Sequence, residues 1–135
     1  GVELPEVDVL DLRTRVTTPM QHGRVFLVGD AAHLITPAGG KGMNLAIADV
    51  LLLEVALRAF LLEGDSRLLD GYEETALHRI RKAQNFSYWM TTMLHARPDA
   101  SEFEDMRVRG ELRNVVQSRY GRQFLAEQYT GWPSA

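Results

Sequence analysis

The chain contains no cysteine among its 135 residues. That excludes a disulfide framework and thiolate chemistry, and it fits a reducing compartment. An excess of one charge is also missing: a net charge of −3 leaves no electrostatic footprint for nucleic acid. The histidines, His22, His33, His78 and His95, show no metal-ligand spacing, so without thiolates to join them no metal site is expected. The opening residues GVELPEVDVLDL lack a basic region followed by an apolar core. A secretory signal is therefore not expected, and a cytoplasmic location is. The most apolar stretch, Gly42 to about Glu63, is interrupted by Asp49, Glu54 and Arg58, which argues against a membrane span. There is no internal repeat or low-complexity segment.

Two phosphate-binding motifs fail on inspection. Gly40-Lys41-Gly42-Met43-Asn44-Leu45 begins like G-x-G-x-x-G but lacks the last glycine and does not directly follow a strand. Its Gly-Lys pair is followed by glycine rather than Ser or Thr, which rules out a P-loop.

What is present, 45% hydrophobic and 24% charged residues, is ordinary for a globular protein. The organising stretch is RVFLVGDAAHLITPAGGKGMN, Arg24 to Asn44. Val25-Phe26-Leu27-Val28, bounded by Gly23 and Gly29, suits a strand covered on both faces. Gly29 allows a sharp turn, so Asp30 stands just beyond the carboxyl edge of a sheet, where open α/β folds bind ligands. A carboxylate there needs donors, and the hydroxyls of a sugar-like cofactor would serve. Pro37-Ala38-Gly39-Gly40 is a loop with almost no side chain, open to close approach by something flat or bulky. Lys41 and the free N–H groups of Gly42, Met43 and Asn44 aim positive potential at the same place.

Around that stretch, Arg13 to Thr18 reads as a strand closed by Pro19, with another possible strand at Val7 to Leu10. Met20 to Gly23 would turn the chain into the buried strand, and the two flanking strands fit different sheets. A helix from Gly42 to about Glu63, apolar nearly all round, should be buried within a larger protein. Gly64 ends it, and Asp65 or Ser66 can cap the next, which runs to about His95 with Leu69, Tyr72, Ala76, Ile80, Ala83, Met90 and Met93 inward. Ser101 to Glu104 is a capping box opening a third helix to about Gln117, with Phe103, Met106 and Leu112 inward. A short helix near Tyr120 to Gln128 ends at Gly131-Trp132-Pro133. One apolar strand with a single partner is not an independent sheet. The absent dinucleotide fingerprint and absent initiating Met point the same way, to an excised C-terminal piece of a larger protein that is marginal or oligomeric alone.

The run GDAAHLITPAGGKGMNLAIAD closely resembles the second FAD motif of the single-component aromatic-ring flavoprotein monooxygenases. The flanks PMQHGR, YEETALHRIRKAQNFSYWMT and AEQYTGWP narrow the resemblance to the branch acting on 4-hydroxybenzoate. The resemblance implies an α/β fold for the full enzyme, an FAD-binding Rossmann-like fold plus a substrate-domain sheet, of which this chain is a mostly α part with one or two strands. Residues 1–23 would be a strand and connection from the substrate-domain sheet, 24–63 the second half of the FAD-binding domain, and 64–135 a C-terminal helical region. It implies FAD as cofactor, NADPH and O2 as co-substrates, a homodimer, and dependence on the missing N-terminal part, with no nucleic acid or membrane partner.

Residue by residue, the resemblance implies that Asp30 bonds the ribityl region and that Gly42, Met43 and Asn44 meet the isoalloxazine ring from the helix start. It gives Pro37 a backbone carbonyl facing the substrate ring, Lys41 a positive potential near the flavin, Tyr129 a place in a proton relay from the bound phenol, and Arg13 a contact to NADPH. Each has a plainer alternative: a turn Asp, a helix cap, a stiffening proline, a solvated lysine, a packed tyrosine, an exposed arginine. His33 is expected to pack or bond locally, and His78 to Lys82 to form a solvated helix face. Phe86, Tyr88, Trp89, Met90 and Met93 read as core or subunit contact. Thr18 and Trp132 depart from the pattern, where acidic and aliphatic residues are common. A paralogue acting on 3-hydroxybenzoate is the nearest rival, and a non-catalytic helical assembly module the rival from another class.

Overall fold

A computed structural model describes residues 12–95 and 97–131, so the strand expected at Val7 to Leu10 and the aromatic Trp132 lie outside the described residues. Arg15–Val16 (β1), Gln21–His22 (β2), Val25–Phe26 (β3) and His33–Leu34 (β4) form two separate antiparallel pairs, β1 with β4 and β2 with β3. The strands on either side of Pro19 thus fall in different sheets, as expected. Met20 to Gly23, expected as a turn, instead contributes β2, and the reversal is the two-residue Gly23-Arg24 link.

The apolar strand is shorter and barer than its sequence suggests. Only Val25 and Phe26 are paired, and Val25 is 61% exposed. A strand covered on both faces needs neighbours on both sides. Here the hairpin rests on the helix that begins at Tyr72, and Val25 stays exposed.

Five helices follow: Gly42–Glu63 (α1), Arg67–Asp70 (α2), Tyr72–Leu94 (α3), Glu102–Gln117 (α4) and Arg119–Thr130 (α5). Their ends follow local chemistry. At the end of α1, Gly64 is left-handed at φ 73°, and the amides of Gly64 and Asp65 bond back to Phe60 and Ala59. Of the two candidate caps for the next helix, Asp65 does the work, accepting the Arg67 N–H at 3.0 Å. Gly71 separates α2 from α3, where one helix was expected. Ser101 and Glu104 form the capping box at the start of α4. Ser118 accepts the Gly121 N–H at the corner between α4 and α5. A Cβ on Gly121 would stand 2.6 Å from the Val115 carbonyl oxygen, so the two helices meet there backbone to backbone.

The core joins the hairpins to α3. Met20, Ala32, Tyr72, Ala76, Leu77 and Ile80 are buried together. Tyr72 donates its hydroxyl to the Leu27 carbonyl at 2.8 Å and meets the edge of Phe26 at 5.6 Å. Burial, with the Asp49 carboxylate nearby, pushes that phenol up to about 12. Glu73 accepts the Met20 N–H at 3.0 Å, so the first turn of α3 holds both ends of the β2–β3 hairpin.

This chain alone does not bury α1, whose burial is expected within a larger protein, and the inward face expected of α4 fails. Helix α1 buries Leu45, Asp49 and Ala56 but exposes Ile47, Val50, Leu51, Val55, Leu61 and Leu62, because α2, α3 and the Gly29 turn cover only one of its sides. Phe103 and Met106 of α4 face outward too, while Leu112 is half-buried. The α4–α5 pair rests on α3 along one side, with no second layer among the described residues.

Candidate functional site

The site forms where the Gly29 turn, the glycine loop and α1 meet. Residues Gly29–Ala31 make a single 3₁₀ turn that leaves Asp30 exposed. Gly29 adopts φ +57°, and a Cβ there would come within 3.2 Å of the Ala46 Cβ. Glycine therefore serves both the backbone shape and the close approach to α1. The Gly29 N–H donates to Asp49 Oδ2 at 3.0 Å, which ties the turn to the second turn of the helix. That oxygen also takes His33 Nε2 at 2.6 Å, with both residues 1% exposed.

The loop from Pro37 to Gly40 is pinned from the opposite side. Gly39 sits at φ +83°, and a Cβ there would collide with Phe86 Cε1 at 2.7 Å. The Pro37 carbonyl accepts the Gly40 N–H at 2.9 Å, so one of its two lone pairs is engaged inside the loop.

Lys41 departs from the solvated alternative: it is 8% exposed. Its ammonium lies 5.4 Å from the Phe86 ring centroid and 5.8 Å from that of Tyr129, and it donates to the Tyr129 carbonyl. Aromatic faces and a carbonyl replace water around the cation, and burial still draws its pKa below the ordinary lysine value. Tyr129 and Phe86 meet edge to face at 6.3 Å. Lys41, Phe86 and Tyr129 thus couple the glycine loop, α3 and α5.

The mouth of α1 is bare. Lys41 gives no side-chain cap, no acidic residue lies in the first turn, and the first intrahelical bond is Leu45 N–H to the Lys41 carbonyl. The amides of Gly42, Met43 and Asn44 consequently have no backbone acceptor among the described residues. Met43 is 74% exposed and Asn44 is exposed beside it. An uncapped positive helix end beside a side-chain-poor loop fits an electron-rich ring such as a flavin.

The structure therefore brings Lys41 and Tyr129 into contact, joins them to the Pro37 loop, and packs the Asp30 turn onto α1 one turn past Met43. Arg13 lies exposed ahead of β1. The basic run is solvated at His78, Arg81 and Lys82, as expected, and His33 bonds locally. The aromatic stripe divides: Phe86 and Met93 are buried, and Tyr88 is exposed. Sequence reasoning missed the role of Asp49, although a lone carboxylate within an apolar helix demands a buried donor. It also missed Phe86 as the platform of the site, which only the tertiary fold reveals. Among the described residues no group of His, Asp or Glu could hold a metal ion, and no helix is long and apolar enough to cross a membrane.

This arrangement is that of a flavin-nucleotide protein: residues 1–87 match the FAD binding domain family, and the chain belongs to that family. Over 128 residues, 95% of this chain and 32% of the relative, it is 43% identical to p-hydroxybenzoate hydroxylase of Acinetobacter baylyi. It is also 43% identical over 68 residues to 6-methylpretetramide 4-monooxygenase of Streptomyces rimosus, covering 49% of this chain and 12% of that one. A solved structure of the rebeccamycin biosynthetic enzyme RebC with reduced flavin matches 86% of this chain and 23% of its own, with a TM-score of 0.57 and 27% identity. The chain spans about a third or less of the length of these proteins.

Proposed function

We propose that this chain is the C-terminal part of an FAD-dependent aromatic monooxygenase that hydroxylates 4-hydroxybenzoate to 3,4-dihydroxybenzoate. NADPH would supply the electrons, and O2 the oxygen atom inserted and the one released as water. The observation that carries this reading is 43% identity to p-hydroxybenzoate hydroxylase over 128 of the 135 residues. When bound, FAD supplies the redox step between NADPH and O2.

The residues here would then do the positioning. Asp30 accepts hydroxyl groups of the cofactor's sugar-like chain, and the amides of Gly42, Met43 and Asn44 stabilise negative charge at the ring without reorganising. The remaining lone pair of the Pro37 carbonyl would meet the substrate phenol. The Tyr129 hydroxyl, able to donate and accept, passes the phenolic proton toward water. Lys41 raises the potential around the loop and fixes the backbone that carries Tyr129. Arg13 is proposed as an NADPH contact. The bare face of α1 supports a requirement for further polypeptide, the missing N-terminal part of the enzyme, and a homodimer is proposed with it.

The test is substrate-stimulated NADPH oxidation by the full-length protein, with product analysis. A larger stimulation by 4-hydroxybenzoate than by 3-hydroxybenzoate, with a 3,4-dihydroxy product, is expected. The reverse order would assign the paralogous activity. The exposed side of α1 also favours a second reading, a helical assembly module. A colourless oligomer with no flavin absorbance, from the full-length protein, would select it.

A further inference from the structure

Asp49 is the least expected residue in α1. It lies between Ala48 and Val50 in an apolar helix, is 1% exposed, and directs one oxygen at two donors on the preceding loop. A carboxylate oxygen only accepts, so the Gly29 amide and His33 Nε2 both supply hydrogens to it. Stability alone is a poor reason for such a pair: well-packed apolar residues of similar volume in place of buried ionic partners are often neutral or stabilising. What apolar residues could not supply is an acceptor for the Gly29 N–H. That amide adjoins Asp30, one turn along α1 from the bare amides of Met43 and Asn44.

We propose that Asp49 and His33 are positioning residues of the flavin site. Asp49 fastens the Gly29–Asp30 turn to α1, so that turn and helix mouth meet the cofactor as one rigid unit, and His33 fixes the Asp49 side chain. The role rests on the flavin reading above. His33 Nδ1 has no partner among the described residues, so Nε2 carries the whole interaction.

The decisive experiment is His33→Leu/Asp49→Leu in the full-length flavoprotein, read by denaturant unfolding, FAD dissociation and hydrogen exchange at Gly29. The expected result is a cooperative unfolding transition with a modest loss of stability from the orphaned Gly29 N–H, at least a tenfold loss of FAD affinity, and loss of Gly29 amide protection. Asp49→Asn, which keeps an acceptor oxygen, should retain affinity within about threefold. Unchanged FAD affinity with the Gly29 amide still protected would overturn the proposal. Should the double variant fail to fold, single variants decide: His33→Gln can still donate to Asp49 and should bind FAD like the parent, whereas His33→Leu should bind several-fold more weakly. Equal affinity of these two also overturns it. A parent protein that takes up no FAD refutes the flavin reading instead, and Gly29 exchange in the double variant still decides whether the tie exists.

Discussion

The two ends of this chain are held by different physics. From β1 to the middle of α3, buried residues form a core, and several polar groups inside it are paired at short range, Tyr72 with Leu27, Glu73 with Met20, and Asp49 with Gly29 and His33, while Thr36 Oγ1 and His33 Nδ1 are left without a partner. Helices α4 and α5 bury no residue at all. They stay in place through discrete anchors: Lys41 to Tyr129, Trp89 Nε1 to Glu111 at 2.9 Å, and the Gly121 corner. The family match ends at residue 87, where the core also thins. A proposed relay residue thus sits on the loosely fastened part, while the proposed cofactor contacts sit on the rigid part.

The largest expected effect breaks the core. Tyr72→Ala removes a fully buried ring and leaves the Leu27 carbonyl without its donor, so denaturant unfolding should show a loss of about 3–5 kcal/mol. Phe103→Ala on α4 provides the contrast: with its ring 70% exposed, it should stay within about 0.5 kcal/mol of the parent. Equal losses at the two positions would erase the distinction between the regions.

A smaller change should separate the regions without unfolding either. Lys41→Met removes the bond to the Tyr129 carbonyl and two ring contacts, while relieving the cation of its desolvation. Global stability should hardly move. Hydrogen exchange in α5 should speed up roughly fivefold, about 1 kcal/mol of local opening, with the amides around Tyr72 unaffected.

The smallest effect is electrostatic. The Arg67 side chain, together with the Arg67 backbone N–H, holds the Asp65 carboxyl down to about 2 from its ordinary 3.8. A depressed carboxylate contributes stability that is present above the unfolded value and lost as pH falls through the folded one. Helix α2 should therefore weaken between about pH 4 and pH 2, and Asp65→Asn should abolish that part of the acid dependence. Acid titration followed by NMR at Arg67 would show it.

Legibility in the sequence followed the range of the interaction. Gly64 and the Ser101–Glu104 box act within a few residues, and the helix ends they mark stand where sequence placed them. Helix α1 was recognisable, but the covering it needs was not, because burial depends on what packs nearby. The strand at Val25 failed for the same reason. Lys41 could not be read as buried: Phe86 and the Tyr129 carbonyl reach it from 45 and 88 residues away. His33 and Asp49 lie between these extremes. Their 16-residue separation hid the pairing, although each was an anomaly in its own apolar segment.

The contact at Gly121 makes α5 a lever. Tyr129 lies two turns farther on, roughly 12 Å along the axis at about 1.5 Å per residue, so a tilt of a few degrees at the pivot carries the phenol by about an ångström. A methyl group at the pivot would impose such a tilt, and the proton relay proposed for Tyr129 would be sensitive to a displacement of that size. The reach of the proposed relay phenol can thus be retuned from Gly121, two turns away along α5.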